Sequence, residues 1–185
     1  MAETWRRIEP TEPVKVGWRT VTQKTFENPD GKIFKADVYA KDGEQAVAVI
    51  AITTSREVLV CRQYRFGPER IMDELPGGFI DEDEDKEAAA LRELTEETGY
   101  AAGTMEYLGY TFRDAWSNDL SHYYIATGCE LTKAGQHLDE TEDIEVSLIA
   151  VPRLIENAKN GLMTDPGAVL MAYDQLKEIQ ELPHD

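Results

Sequence analysis

Glu93, Glu96 and Glu97 lie three and four residues apart in a stretch of good helix formers, so a helix there gathers three carboxylates on one face within a single turn. Like charges held that closely repel one another. A divalent cation relieves the repulsion, and hard oxygen donors select Mg²⁺, Mn²⁺ or Ca²⁺ over softer metals. Of the 36 acids in the chain, nine fall between Asp81 and Glu97 and five more between Asp139 and Glu145. An acidic run is ordinarily a solvated surface, and spacing has to decide whether these two differ. Asp81, Asp83 and Asp85 alternate as the first ligands of a helix-loop-helix calcium site do. Lys86 falls where that loop requires glycine and Arg92 where it requires a bidentate glutamate, so this reading fails.

Composition narrows the classes further. A net charge of −17 opposes a nucleic-acid backbone, which excludes binding that depends on a basic surface and leaves small phosphorylated ligands open. Cys61 and Cys129 form neither a C-x-x-C pair nor a zinc spacing. The first thirteen residues hold no apolar stretch of signal-peptide type, and the run Ala46 to Ile52 is too short to span a bilayer. A soluble, reduced, cytoplasmic protein is expected.

Gly78, Glu84, Arg92-Glu93-Leu94, Glu96-Glu97 and Gly99-Tyr100 follow the spacing G-x5-E-x7-R-E-U-x-E-E-x-G-U, where U is a bulky apolar residue. On these residues the chain resembles the Nudix pyrophosphohydrolases. Seven fixed identities at fixed spacing arise by chance in a chain of this length with probability on the order of 10⁻⁵, which sets aside an acidic helix with a glycine cap. The resemblance implies an enzyme dependent on Mg²⁺, with Mn²⁺ able to substitute. It makes Glu93 and Glu97 the firmest ligands and Glu96 a direct or water-mediated one, and it gives Arg92 the task of orienting a ligand carboxylate.

Outside that box the chain resembles the ADP-ribose and nucleoside-diphosphate-sugar pyrophosphatases. Cys61-Arg62-Gln63-Tyr64-Arg65 before Glu74-Leu75-Pro76-Gly77-Gly78 is similar to that branch's V-R-Q-Y-R…E-L-P-A-G. The similarity gives Arg65 the substrate's phosphates and Gly77 a backbone carbonyl ligand. Asp139 to Val146 resembles the branch's acidic loop, which makes Glu142 a further ligand and Glu140 the general base; a solvated surface acid is an equal reading for Glu140. Gly17-Trp18 and Lys24 to Lys32 resemble an amino-terminal hairpin exchanged across a homodimer. Trp18 then stacks on the base, against its alternative as a core residue, and Phe34 is a second candidate. The branch's S-P-G-like turn beyond the box is replaced by Arg113-Asp114-Ala115-Trp116-Ser117-Asn118. Trp116 either shapes the sugar pocket or simply packs the loop.

These residues need a scaffold. Val14 to Phe26 and Ile33 to Ala40 flank Asn28-Pro29-Asp30-Gly31, a turn signal, and read as an antiparallel hairpin. Ala46 to Thr54, apolar almost throughout, and Val58 to Phe66 read as central strands covered on both faces. A helix follows from about Asp85 to Thr98 with Gly99 as its stop, then strands at Met105 to Phe112, Ser121 to Thr127 and Ile144 to Val151. Pro152 to Leu182 is helical with breaks near Gly161 and Pro166. The expected fold is α+β, an α/β/α sandwich of the Nudix type with a mixed central sheet. The expected division is a hairpin region over 1–44 and a hydrolase domain over 45–185. The expected function is hydrolysis of the pyrophosphate bond of ADP-ribose or a related nucleoside diphosphate sugar. A dinucleoside polyphosphate, a nucleoside triphosphate and a non-catalytic nucleotide sensor are the alternatives.

Overall fold

A computed structural model describes residues 4–10, 13–17, 19–39, 43–138 and 143–181 of the 185. The chain divides into two compact units, Met1–Gln45 with Phe112–Ser121, and Ala46–Thr111 with His122–Asp185.

The first unit is built on a four-stranded sheet. Strands β1 (Arg6–Pro10) and β2 (Val14–Val16) pair antiparallel with successive parts of β3 (Arg19–Glu27), and β4 (Ile33–Tyr39) pairs along the other edge of β3. The single strand expected from Val14 to Phe26 is broken at Gly17, whose φ of +64° suits glycine and turns β2 back onto β3. The β3–β4 connection is the turn that Asn28 to Gly31 announces. The Gly31 N–H donates to the Asn28 carbonyl at 2.9 Å, and the Asn28 side chain accepts from the Lys32 N–H at 2.8 Å.

The second unit holds a seven-stranded sheet. Its strands are β5 (Gln45–Thr53), β6 (Glu57–Arg65), β7 (Arg70–Glu74), β8 (Tyr100–Ala101), β9 (Thr104–Phe112), β10 (Leu120–Leu131) and β11 (Glu145–Ala150), and helix α1 (Lys86–Thr98) intervenes between β7 and β8. The order runs β11-β6-β5-β10-β8, with β7 on β6 and β9 on β10. Helices α2 (Val151–Lys159), α3 (Pro166–Met171) and α4 (Tyr173–Glu181) complete the unit. Along β5 the side chains alternate between two cores, as the period of two demands. Val47, Val49 and Ala51 meet Ala89, Ala90 and Leu94 of α1, whereas Ala48, Ile50 and Ile52 share the opposite core with Leu154, Ile155 and Leu176. Helices therefore cover both faces of the sheet, the α+β arrangement that the near-continuous apolar run of β5 implies. No helix among the described residues is long and apolar enough to cross a membrane.

Candidate active site

Helix α1 carries four of the expected site residues, and its two ends are fixed by one capping side chain and one glycine backbone. Asp85 caps the amino terminus, accepting from the N–H groups of Glu87 at 2.9 Å and Ala88 at 3.3 Å. Gly99 closes the other end at φ +76° with its N–H on the Thr95 carbonyl. The face that buries Ala89, Ala90 and Leu94 also buries Glu97, only 5% exposed. A carboxylate in that position is costly unless it is paired or hydrogen-bonded. Its Oε2 accepts from the Gly77 N–H at 2.8 Å and faces the Cys61 thiol at 3.7 Å.

The Pro76-Gly77-Gly78 segment brings the second carboxylate to the same place. The carbonyls of Pro76 and Gly78 accept from the N–H groups of Val49 and Val47 of β5, each at 2.9 Å. Alternation along an extended segment leaves the Gly77 carbonyl on the other side, where its own N–H meets Glu97. A side chain at Gly78 would lie 2.4 Å from Glu93 Oε1, so Glu93 closes over that glycine. Two carboxylates and one backbone carbonyl thus converge on adjacent residues. These are hard oxygen donors, and they fit a divalent cation of the Mg²⁺ kind. Among the described residues no three or more His, Cys, Asp or Glu side chains are gathered as a complete metal cage. Glu96 is turned to the rim, its carboxylate 3.0 Å from Arg92 Nη1 and its side chain half exposed.

Arg92 organises the rim. Its Nε and Nη2 grip the two oxygens of Glu84, each at 2.9 Å, its Nη1 donates to Glu93 at 2.7 Å, and its Nη2 also reaches the Phe79 carbonyl at 3.2 Å. The fork of one guanidinium therefore ties the loop before α1 to a site carboxylate. Hydrogen bonding to Arg92 first, and to the Asp81 N–H second, holds the Glu84 carboxyl down at about 2, from an ordinary value of 4.5. A depressed folded value makes the sign definite: the Glu84 contribution to stability is complete above pH 4.5 and is lost as pH falls towards 2. Glu84→Gln should therefore have a lower Tm than the parent protein at neutral pH. The gap should close between pH 4.5 and 2, as thermal melts across that range will show.

Arg65 ends β6 with its guanidinium gripped through Nε and Nη2 by the two oxygens of Glu74, a buried carboxylate that Gln63 also contacts at 3.4 Å. The Glu74 hydrogen bond holds Arg65 more firmly protonated, and the charges of Glu97 and Asp165 add to that. The Nη1 edge faces away from this grip, and the side chain is 46% exposed.

Trp18, Glu140 and Glu142 lie outside the described residues. Trp116 sits in the first unit and is 60% exposed, its carbonyl accepting from the Tyr39 N–H at 2.8 Å. In the same loop Arg113 is ion-paired to the buried Asp119 at 2.9 Å. Phe34 packs against Trp5 with the ring centroids 4.7 Å apart and the planes tilted by 46°. His122, without a role in the sequence reading, is buried and hydrogen-bonds the Tyr107 hydroxyl through Nδ1 at 2.9 Å. Glu74, which follows Arg65 in the same motif, is that arginine's partner, a role its spacing along the chain does not announce.

A family model described as the NUDIX domain matches residues 44–166. A methanol dehydrogenase activator from Bacillus methanolicus is 32% identical over 154 residues, covering 82% of this chain and 82% of its own. An ADP-ribose pyrophosphatase from Bacillus subtilis (strain 168) is 30% identical over 154 residues with the same coverage. The crystal structure of an ADP compounds hydrolase superposes with a TM-score of 0.78 at 20% identity, covering 98% of this chain and 99% of that one, a likeness of fold.

Proposed function

The chain belongs to the Nudix family, in its ADP-ribose and nucleoside-diphosphate-sugar pyrophosphatase branch, and from that premise we propose that it hydrolyses the pyrophosphate bond of ADP-ribose or a close relative. The products are a nucleoside monophosphate and a sugar phosphate. The observation that supports this reading is that Glu97 and Glu93 meet the adjacent residues Gly77 and Gly78, with the Arg65 guanidinium close enough to feel the Glu97 charge.

Glu93, Glu97 and the Gly77 carbonyl hold Mg²⁺ or Mn²⁺ in this proposal, with Glu142 and Glu96 as further donors. Bound there, the ion supplies charge neutralisation for the diphosphate and lowers the pKa of a bound water. The chain's own residues do the rest. Gly77 and Cys61 fix one oxygen of Glu97, and Arg92 steadies Glu93. Arg65, oriented by Glu74 on one edge, offers its other edge to a phosphate oxygen, a geometry that guanidinium supports and ammonium does not. Glu140 takes the proton of the attacking water. Trp18 and Trp116 bind the base and the sugar. The proposal extends to a homodimer working in the cytoplasm.

The test is a panel of ADP-ribose, UDP- and GDP-sugars, dinucleoside polyphosphates and nucleoside triphosphates, incubated with Mg²⁺ or Mn²⁺ and resolved chromatographically. AMP and ribose 5-phosphate formed fastest from ADP-ribose is the expected result. A faster dinucleoside polyphosphate or triphosphate would overturn the substrate class and turn attention to the 113–118 loop. Binding without product across the panel would favour a nucleotide sensor.

A further inference from the structure

Strand β7 pairs with β6 on one side, and the segment from Gly161 to Asp165 runs along its other edge. Arg70 Nη2 donates to the Gly161 carbonyl at 2.7 Å, the Asp73 N–H donates to the Leu162 carbonyl at 3.2 Å, and Asp73 forms a parallel bridge with Met163. Asn157 of α2 is buried and anchors both partners: its Nδ2 donates to the Asp73 carboxylate at 2.7 Å, and its carbonyl accepts from the Leu162 N–H at 3.0 Å. N–H groups two residues apart along an extended chain point the same way, so the Leu75 N–H faces this segment as the Asp73 N–H does. Where the ladder would next need a carbonyl, the chain bends, with Asp165 at ψ +50° and Pro166 after it. The Leu75 N–H is hydrogen-bonded instead to the Asp165 carboxylate. Asp165 stands at the N-cap position of α3, where aspartate ordinarily caps, and yet its side chain makes no capping bond.

The peptide unit whose N–H is held in this way joins Leu75 to Glu74, the carboxylate that grips Arg65 through both oxygens. Asp165 is near enough for its charge to act on Glu74 and on Arg65. Burial pushes the Asp165 carboxyl up, while the Thr164 hydroxyl, donating at 2.9 Å, and the Leu75 N–H pull it the other way. We propose that Asp165 is a positioning residue for Arg65: its carboxylate fixes the Glu74–Leu75 peptide, and Glu74 thereby holds the guanidinium where the diphosphate meets it. The proposal rests on the reading that Arg65 contacts phosphate. A contact to an oxygen that does not react is made in the ground state and the transition state alike, so loosening it raises KM and leaves kcat in place.

Asp165→Ala removes the acceptor. Asp165→Ser removes its reach but leaves α3 a good N-cap residue, and Asp165→Asn keeps an oxygen for the Leu75 N–H. With Mg²⁺ and the panel member turned over fastest, the Ala and Ser variants should raise KM by roughly three- to tenfold, the net worth of about one hydrogen bond. Their kcat should stay within about twofold of native, and Asp165→Asn should bring KM back to within about twofold. If no panel member is cleaved, the Kd of ADP-ribose read by calorimetry takes the place of KM. In an Arg65→Ala background Asp165→Ser should add less than about a twofold rise, since both act through one contact. Native KM in Asp165→Ser, with or without a lowered Tm, or a rise that multiplies fully with Arg65→Ala, would overturn the positioning role while leaving Arg65 its phosphate. Native KM in Arg65→Ala would instead remove the phosphate role of Arg65, and the proposal with it.

Discussion

Glu97→Gln should lower kcat by roughly 10³-fold without unfolding the protein. The amide keeps an oxygen for the Gly77 N–H and removes the charge. An ion that polarises a phosphoryl oxygen is worth several kcal/mol in the transition state, and about 4 kcal/mol converts to roughly a thousandfold in rate. Stability should move the other way or not at all. Glu97 is a buried carboxylate that accepts from the Gly77 N–H and the Cys61 thiol, both uncharged donors, and a neutral amide there avoids the cost of burying a charge. Turnover with added Mg²⁺ and a melt in chelator measure the two effects separately. A variant that turns over at the native rate would remove the ion from Glu97.

Gly77→Ala and Gly78→Ala should fail in different ways, although the positions adjoin. An added carbon at Gly77 would stand 2.1 Å from the Val47 carbonyl oxygen and 2.8 Å from the Ala48 Cα, both backbone atoms of the central strand. Neither can move without disturbing β5, so overpacking costs about 3 kcal/mol, the upper end of the usual range, and about 6–12 °C in Tm for a chain of this size. At Gly78 the three atoms nearest the added carbon all belong to the Glu93 carboxylate, the far end of a flexible side chain. That group can swing away at the cost of its ion pair with Arg92, without disturbing the backbone, and it then leaves the cation. Gly78→Ala should melt within a few degrees of the parent protein while losing at least tenfold in Mn²⁺ affinity, on the scale of effects that follow when a ligand loses its orientation. Equal melting temperatures for the two variants would contradict the contacts described.

How much of this was legible in the sequence follows from the range of the interactions. Helix α1, with its start near Asp85 and its stop at Gly99, is a local matter, decided within a few residues, and the box spacing places Arg92, Glu93 and Glu97 on it. The sheet's central strand was equally plain, because β5 has apolar residues on both faces. Other features depend on the tertiary structure. Strand β7 is short, and its sequence, Arg70–Glu74, alternates weakly; it exists because it pairs with β6 from Cys61 to Arg65. The break at Gly17 competes with a good strand pattern on both sides and wins by folding β2 back on β3. The grip of Glu74 on Arg65 crosses a hairpin, and the Gln136 bond to Glu97 joins residues 39 apart. No composition or period announces such a contact. Glu96 shows the limit of spacing arguments most clearly: helical periodicity places it on the face of Glu93 and Glu97, but its half-exposed side chain lies against Arg92 one turn earlier.

The most direct test of the central claim is to run the nucleotide panel in water enriched in oxygen-18, with and without Mg²⁺, and to weigh the products. The account predicts that ADP-ribose or a related nucleoside diphosphate sugar gives a nucleoside monophosphate and a sugar phosphate, with one heavy oxygen in one of the two, and that chelator abolishes the reaction. Cleavage that proceeds at the same rate in chelator, or products that carry no heavy oxygen at phosphorus, would contradict it.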